Sequence, residues 1–172
     1  MQMQRHYDFV GPESLSGLRR QPDCLNPTSA FDIGGWLKSK LPSGRIKGGI
    51  YVTFIIDVDE QLWIADRCSE HVACADGGPV LAAGEMVFDL HCGDVEVIEV
   101  SNQSTGFCPE PSCWDVIARV LDRLRLVRPE ALSHSFDFRR CPSCQAINVI
   151  KNDIFECDIC GEDLPCEWNF AE

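Results

Sequence analysis

Two short motifs near the C-terminus constrain this chain more than anything else in it: Cys141-Pro-Ser-Cys144 and Cys157-Asp-Ile-Cys160-Gly161. Two residues between cysteines let one tight turn aim both sulfurs at a single point. Two such turns supply the four thiolates of a tetrahedral shell that Zn²⁺ accepts without geometric strain. The intervening residues read as a small hairpin. Ala146, Ile147, Val149 and Ile150 form one strand, Lys151-Asn152-Asp153 the turn, and Ile154-Phe155-Glu156 the return strand that delivers Cys157. Gly161, directly after the second pair, is free to take positive φ, so that backbone N–H groups can fold back toward the sulfurs.

On these residues the stretch from about Arg139 to Asn169 resembles the zinc-ribbon family of rubredoxin-like metal knuckles. The resemblance implies a C-terminal ribbon, residues 139–172, in which Cys141, Cys144, Cys157 and Cys160 hold one structural Zn²⁺; iron fits the same cage. It implies no activity, because ribbons of this kind are fitted to transcription factors, ligases, enzymes and adaptors alike. Disulfides are the competing use of these cysteines. The chain opens Met-Gln-Met-Gln-Arg-His-Tyr without an apolar signal segment, and no run approaches the roughly 18 apolar residues of a membrane span. The expectation is a cytoplasmic protein, where thiols stay reduced and paired CxxC motifs favour metal.

Charge narrows the partners. Lys+Arg 15 against Asp+Glu 27 gives a formal net charge of −12, which repels phosphate backbones. The ribbon shares it, with Arg139, Arg140 and Lys151 against Asp153, Glu156, Asp158, Glu162, Asp163, Glu167 and Glu172. Nucleic acid is therefore disfavoured as a ligand, and a basic protein surface is favoured. Arg119, Arg123, Arg125 and Arg128 are the one basic concentration, read as a solvated helix face or a seat for an acidic partner.

Residues 1–138 read as an α+β domain with a mainly antiparallel sheet and two or three helices. Gly11-Pro12 opens a first helix carrying Leu15 and Leu18 on one face. Ser29 with Asp32 makes a capping box for a second, with Phe31, Trp36 and Leu37 inward, although Gly34-Gly35 weakens it. Leu41-Pro42-Ser43-Gly44 ends that segment. The apolar run Tyr51 to Ile56 reads as a central strand returning through Gln61 to Ala65. A second hairpin joins Glu85–Leu90 to Val95–Val100 across Gly93-Asp94, with Met86, Phe88 and Leu90 on one face. Between the hairpins, 67–83 reads as a long polar loop. Ser112 and Asp115 cap a third helix with Trp114, Ile117, Ala118, Leu121 and Leu124 inward, stopped by Pro129. Phe136 and Phe138 lead as a last strand into the ribbon, and Trp168 is expected to pack the tail across it.

The remaining cysteines decide whether a second site exists. Cys68, His71 and Cys74 occur as C-x2-H-x2-C, His91 and Cys92 sit at a hairpin tip, and Cys108 and Cys113 flank a helix start. They read either as small buried hydrophobes or as a second metal site. The order of elements is similar to that of zinc-dependent nucleobase deaminases, with Ala83-Gly84-Glu85 standing where those enzymes carry His/Cys-x-Glu. Here Ala83 supplies no ligand, and four residues rather than two separate Cys108 from Cys113, so the likeness is one of element order. A cysteine nucleophile is the other enzymatic reading. Cys108 or Cys113 would be the thiolate, His71 or His91 the base, and Glu85, Asp89 or the Asn102 and Gln103 amides the orienting group. The leading expectation is a protein-interaction module built on a structural zinc ribbon. The alternative is a small hydrolytic enzyme with its pocket between 67–83 and 101–114.

Overall fold

The structure is a computed structural model and describes residues 4–41 and 49–170. The apolar run becomes β1 (Ile50–Asp57), an inner strand of a four-stranded antiparallel sheet ordered β2-β1-β3-β4, with β2 at Leu62–Asp66, β3 at Val80–His91 and β4 at Asp94–Val100. A strand paired on both edges and covered on both faces needs apolar side chains throughout, and Val52, Phe54, Ile55 and Ile56 are at most 1% exposed. Thr53 interrupts that run without penalty, because its buried hydroxyl donates to the carbonyls of Arg67 and Ser69.

The segment expected as one long loop, 67–83, is shorter and more ordered. It contains the single-turn helix α2 (His71–Cys74), and β3 already begins at Val80. Val80, Leu81, Ala82 and Ala83 are small or branched apolar residues, and all are buried against β1, with Ala83 opposite Ile55. The element containing Ala83-Gly84-Glu85 is therefore a central strand and not the helix of a deaminase. Gly84 is required there by close approach: a Cβ would stand 1.9 Å from the carbonyl oxygen of Ser101, where the chain leaving β4 crosses β3.

Helix α1 (Ala30–Lys40) carries the expected capping box, with Ser29 Oγ accepting from the Asp32 N–H and the Asp32 carboxylate accepting from the Ser29 N–H. Ile33 and Leu37, one turn apart, are its buried stripe. Phe31 points away from that stripe and is 87% exposed, against expectation. Gly34 has a use that propensity did not reveal, since it lets Val95 of β4 pack within 3.2 Å of where a Cβ would be. The 42–44 part of the expected turn lies outside the described residues. Near the N-terminus, Gly11-Pro12 opens only a one-turn 3-10 helix, Glu13–Leu15, because Gly17 follows within a turn.

Helix α3 (Trp114–Arg123) buries Val116, Ile117, Val120 and Leu121. Its start differs from the expected Ser112 cap. Pro111 directs the chain through a 3-10 turn, Pro111–Cys113, leaving Ser112 exposed and the helix without a side-chain cap. Trp114 lies at the margin rather than in the core, under the Arg128 guanidinium. Three of the arginines here have partners: Arg119 bonds the Glu60 carboxylate, Arg123 donates to the Glu60 backbone carbonyl with the carboxylate 3.7 Å away, and Arg128 is bidentate to Asp122.

Beyond the sheet, β5 (Phe138–Arg140) pairs antiparallel with β6 (Ile147–Val149), so the first cysteine knuckle is itself the turn of this hairpin. The expected return strand Ile154–Glu156 does not form as such. Lys151 and Ile154 make a single bridge across Asn152 and Asp153, both at positive φ as a type I′ turn requires, and Glu156 bridges Asp163. The second knuckle turns the chain away before a longer ladder can grow.

Two side chains tie the segments flanking this unit to the sheet domain, and a third joins its own two ends. Asn102 is fully buried, donates its amide to the carbonyls of Pro109 (2.9 Å) and Phe136 (2.8 Å), and accepts from the Phe136 N–H (2.8 Å). Arg139 donates to the Pro165, Phe138 and Cys166 carbonyls. Trp168 does not lie across the ribbon. Its indole N–H donates to the Cys108 carbonyl (2.7 Å) and its ring meets Tyr7 edge to face at 5.7 Å.

Candidate metal centre

The sulfurs of Cys141, Cys144, Cys157 and Cys160 lie within 4.8 Å of one another, with Cys141 and Cys160 3.6 Å apart and Cys144 and Cys157 also 3.6 Å apart. A regular tetrahedron with metal–sulfur bonds of about 2.3 Å has sulfur–sulfur edges of about 3.8 Å, so the spacing fits Zn²⁺. Among the described residues this is the one group of three or more metal-capable side chains brought so close.

The local backbone explains the convergence. After the first knuckle Gln145 takes φ 64° and returns its N–H to the Cys141 carbonyl at 3.0 Å. After the second, Gly161 takes φ 75° and returns its N–H to the Cys157 carbonyl at 2.9 Å. The two knuckles thus share one geometry, although only one uses glycine. In each the first cysteine is buried and the second exposed. Cys141 and Cys157 form a small cluster with Leu164, flanked by Ala146, Ile150 and Phe155. That is too little apolar surface to hold the unit together without a metal.

The donors are tuned for anionic sulfur. The Cys144 N–H approaches Cys141 Sγ at 3.5 Å, and Asn148 Nδ2 approaches Cys157 Sγ at 3.5 Å while its Oδ1 accepts from the Asp158 N–H. The Cys160 backbone N–H, then the Ile159 N–H and the Asn148 amide, hold the Cys157 thiol down to about 6 against the opposing effect of burial. Cys160 shows the opposite. A favourable bond from the Glu162 backbone is outweighed by the bonds its sulfur shares with Cys141, Cys144 and Cys157, and its thiol is pushed up to about 12. Four thiolates cannot accumulate at this spacing without a cation to balance them, and a divalent ion is what the donor set suits. Neither Asn148 nor Gln145 stood out in the sequence. The signal available was that Gln145 holds the position that Gly161 holds in the second knuckle.

The other candidates are dispersed. Cys68 is exposed, whereas Cys74, from the same C-x2-H-x2-C, is buried with its sulfur near the Trp63 carbonyl at 3.7 Å. His71 lies between them with Nε2 bonded to the Gly84 carbonyl at 2.9 Å, and burial pushes its pKa down, so it is neutral. His91 and Cys92 are exposed at the tip of the β3–β4 hairpin, with the Asp89 carboxylate 3.9 Å from His91. Cys108 and Cys113 are buried, and burial raises each thiol to about 12. Asn102, considered as an orienting amide, is consumed by the three backbone bonds described above. Glu85 lines a cleft of about 270 Å³ with Tyr51, Glu99, Gln103 and His134.

No helix among the described residues is long and apolar enough to cross a membrane. Comparison with protein-family models, with curated proteins and with solved structures returns no match, so the functional reading rests on the chemistry of the chain.

Proposed function

We propose that this protein is a protein-interaction module whose ribbon, residues 139–172, is made rigid by one structural Zn²⁺ and presents an apolar knuckle within an acidic rim to a basic partner. The observation that carries the reading is Ile159. It sits between the ligands Cys157 and Cys160 and is 75% exposed, with Ile154 of the neighbouring turn at 60%. Asp153, Asp158, Glu162 and Asp163 are exposed beside them, with Lys151 the one base in that stretch. A large aliphatic side chain held out by a metal-fixed turn serves as an anchor for a partner pocket, and the carboxylates around it steer a basic surface. Trp168, through Cys108 and Tyr7, would transmit that rigidity to the sheet domain.

The test uses a photo-crosslinking residue at position 159 of the zinc-loaded chain to identify the partner. Binding of the purified partner is then measured for the parent, for Ile159→Asp and after zinc removal. Both perturbations are expected to weaken binding at least about tenfold, with a steep fall as salt rises. Unchanged affinity of the Ile159→Asp variant would refute the assignment.

The cleft beside Glu85 favours one alternative, acid–base chemistry by Glu85 with His134 and Glu99, whose closest approach to each other is 3.5 Å. A cysteine nucleophile has less support, since both candidate thiols are buried and protonated. Hydrolysis lost in Glu85→Gln with the fold intact would favour the enzyme over the adaptor.

A further inference from the structure

A second pair of thiols, remote from the knuckles in sequence, is brought together by the edge of the sheet. The chain before α1 is pinned to β2 by a two-way bridge, the Leu25 N–H to the Ile64 carbonyl at 2.8 Å and the Ile64 N–H to the Leu25 carbonyl at 2.9 Å. From the other side α2 ends at Cys74, whose sulfur lies 3.7 Å from the Trp63 carbonyl of the same strand. The 20–25 segment is thereby held against residue 74 beside Trp63 and Ile64, close enough for the Cys24 and Cys74 thiols to perturb each other's ionisation. Arg20 locks the arrangement, donating to the Cys74 carbonyl at 2.8 Å with its guanidinium 3.4 Å over the Trp63 ring.

We propose that Cys24 and Cys74 form an oxidisable dithiol that reacts with hydroperoxides, Cys24 as the attacking thiol and Cys74 as the resolving one.

The division of roles follows from position. Cys24 is partly exposed and Cys74 is fully buried, so an oxidant in solution reaches only the first. The neighbouring Cys74 thiol comes first among the effects that bring the Cys24 thiol down to about 7, with the Gln21 backbone and the Arg20 charge adding to it. Cys74 is shifted the other way, upward, by Cys24 and then by burial, and stays protonated. The chemistry balances with a hydroperoxide as the co-reactant. The Cys24 thiolate attacks the outer oxygen, the O–O bond breaks, and the alkoxide or hydroxide that leaves takes a proton, giving Cys24 sulfenic acid. The Cys74 sulfur then attacks Cys24, the S–O bond breaks, and the thiol proton leaves with the hydroxyl as water. Two thiols lose two electrons in all, and the hydroperoxide is reduced to alcohol or water. Cys68, Cys92 and Cys166 are more exposed, but none is paired with a second thiol among the described residues.

The experiment treats the zinc-loaded full chain with successive equivalents of hydrogen peroxide at pH 7.5, alkylates it, and maps the peptides without reduction while zinc release is followed. The expected first product is a peptide pair joined through Cys24 and Cys74, two hydrogens lighter, with zinc retained. Cys74→Ser should stop at a Cys24 sulfenic acid trapped by dimedone. Cys24→Ser should consume peroxide about tenfold more slowly, the ratio of thiolate expected between a thiol near 7 and an ordinary one. Oxidation of Cys68, Cys92, Cys166 or the knuckles while Cys24 and Cys74 remain alkylatable would overturn the proposal, and the parent chain alone is enough to show this if a variant does not fold.

Discussion

Replacing Asn102 by alanine should cost about 3–4 kcal/mol of folding stability. Its side chain is fully buried and its three bonds end on the Pro109 carbonyl, the Phe136 carbonyl and the Phe136 N–H. Each intramolecular bond contributes roughly 1 kcal/mol net, and a buried backbone group stranded without a partner costs about 1–3 kcal/mol, so three bonds with partial relaxation give the stated figure. A domain of this size has about 5–15 kcal/mol to lose, so the variant should still fold, with a midpoint displaced by a large fraction of the transition. The assay is urea unfolding of zinc-loaded protein, followed through tryptophan fluorescence and through zinc release. Both probes should shift together, because Phe136 leads directly into β5 and the first knuckle. Asn102→Asp should be at least as damaging at neutral pH, since it turns a carboxylate toward two carbonyl oxygens. A loss below about 1 kcal/mol for Asn102→Ala, or a shift in one probe only, would refute the claim that this amide joins the sheet domain to the metal unit.

Elemental analysis should find one zinc per chain, and Cys157→Ser should abolish it along with the protease resistance of residues beyond Arg139. Trp168→Ala removes the bond to the Cys108 carbonyl and the contact with Tyr7, and should cost about 2–3 kcal/mol by urea unfolding, with Trp168→Phe recovering about half. In the folded protein Cys108 and Cys113 should resist a thiol reagent at pH 8 while Cys68 and Cys92 react at once, because burial holds the first two near 12. His71 is depressed by burial, so the unfolded chain binds its proton more readily. Its contribution is complete above the ordinary histidine pKa of about 6.5 and declines as pH falls below it. His71→Asn should therefore narrow the stability difference between pH 7.5 and pH 5.5, measured against the parent at each pH.

What the sequence disclosed and what it concealed divide along a physical line. The four-cysteine cluster, the capping box at Ser29 and the strand Ile50–Asp57 are legible because spacing, a hydrogen-bonding side chain and an unbroken apolar run act locally. Phe31 is exposed because α1 meets the sheet through the Ile33–Leu37 stripe and a glycine, a choice made by the partner surface. The full length of β3 is hidden in the sequence because Val80 to Ala83 are small and follow a polar stretch. Only the pairing with β1 identifies them as strand. The surface that Trp168 packs on is hidden in the sequence for the same reason, its partners Tyr7 and Cys108 lying more than fifty residues away in the chain.

The unequal burial within each knuckle gives the candidate metal site a front and a back. Cys141 and Cys157 face the protein and Cys144 and Cys160 face solvent, so an incoming chelator or acceptor protein meets only the outer pair. Exchange would proceed by successive ligand substitution from that side, the inner pair holding the ion until the last steps. Any partner seated over Ile159 would shut that door, so complex formation should slow metal turnover even where it leaves the affinity for the ion unchanged.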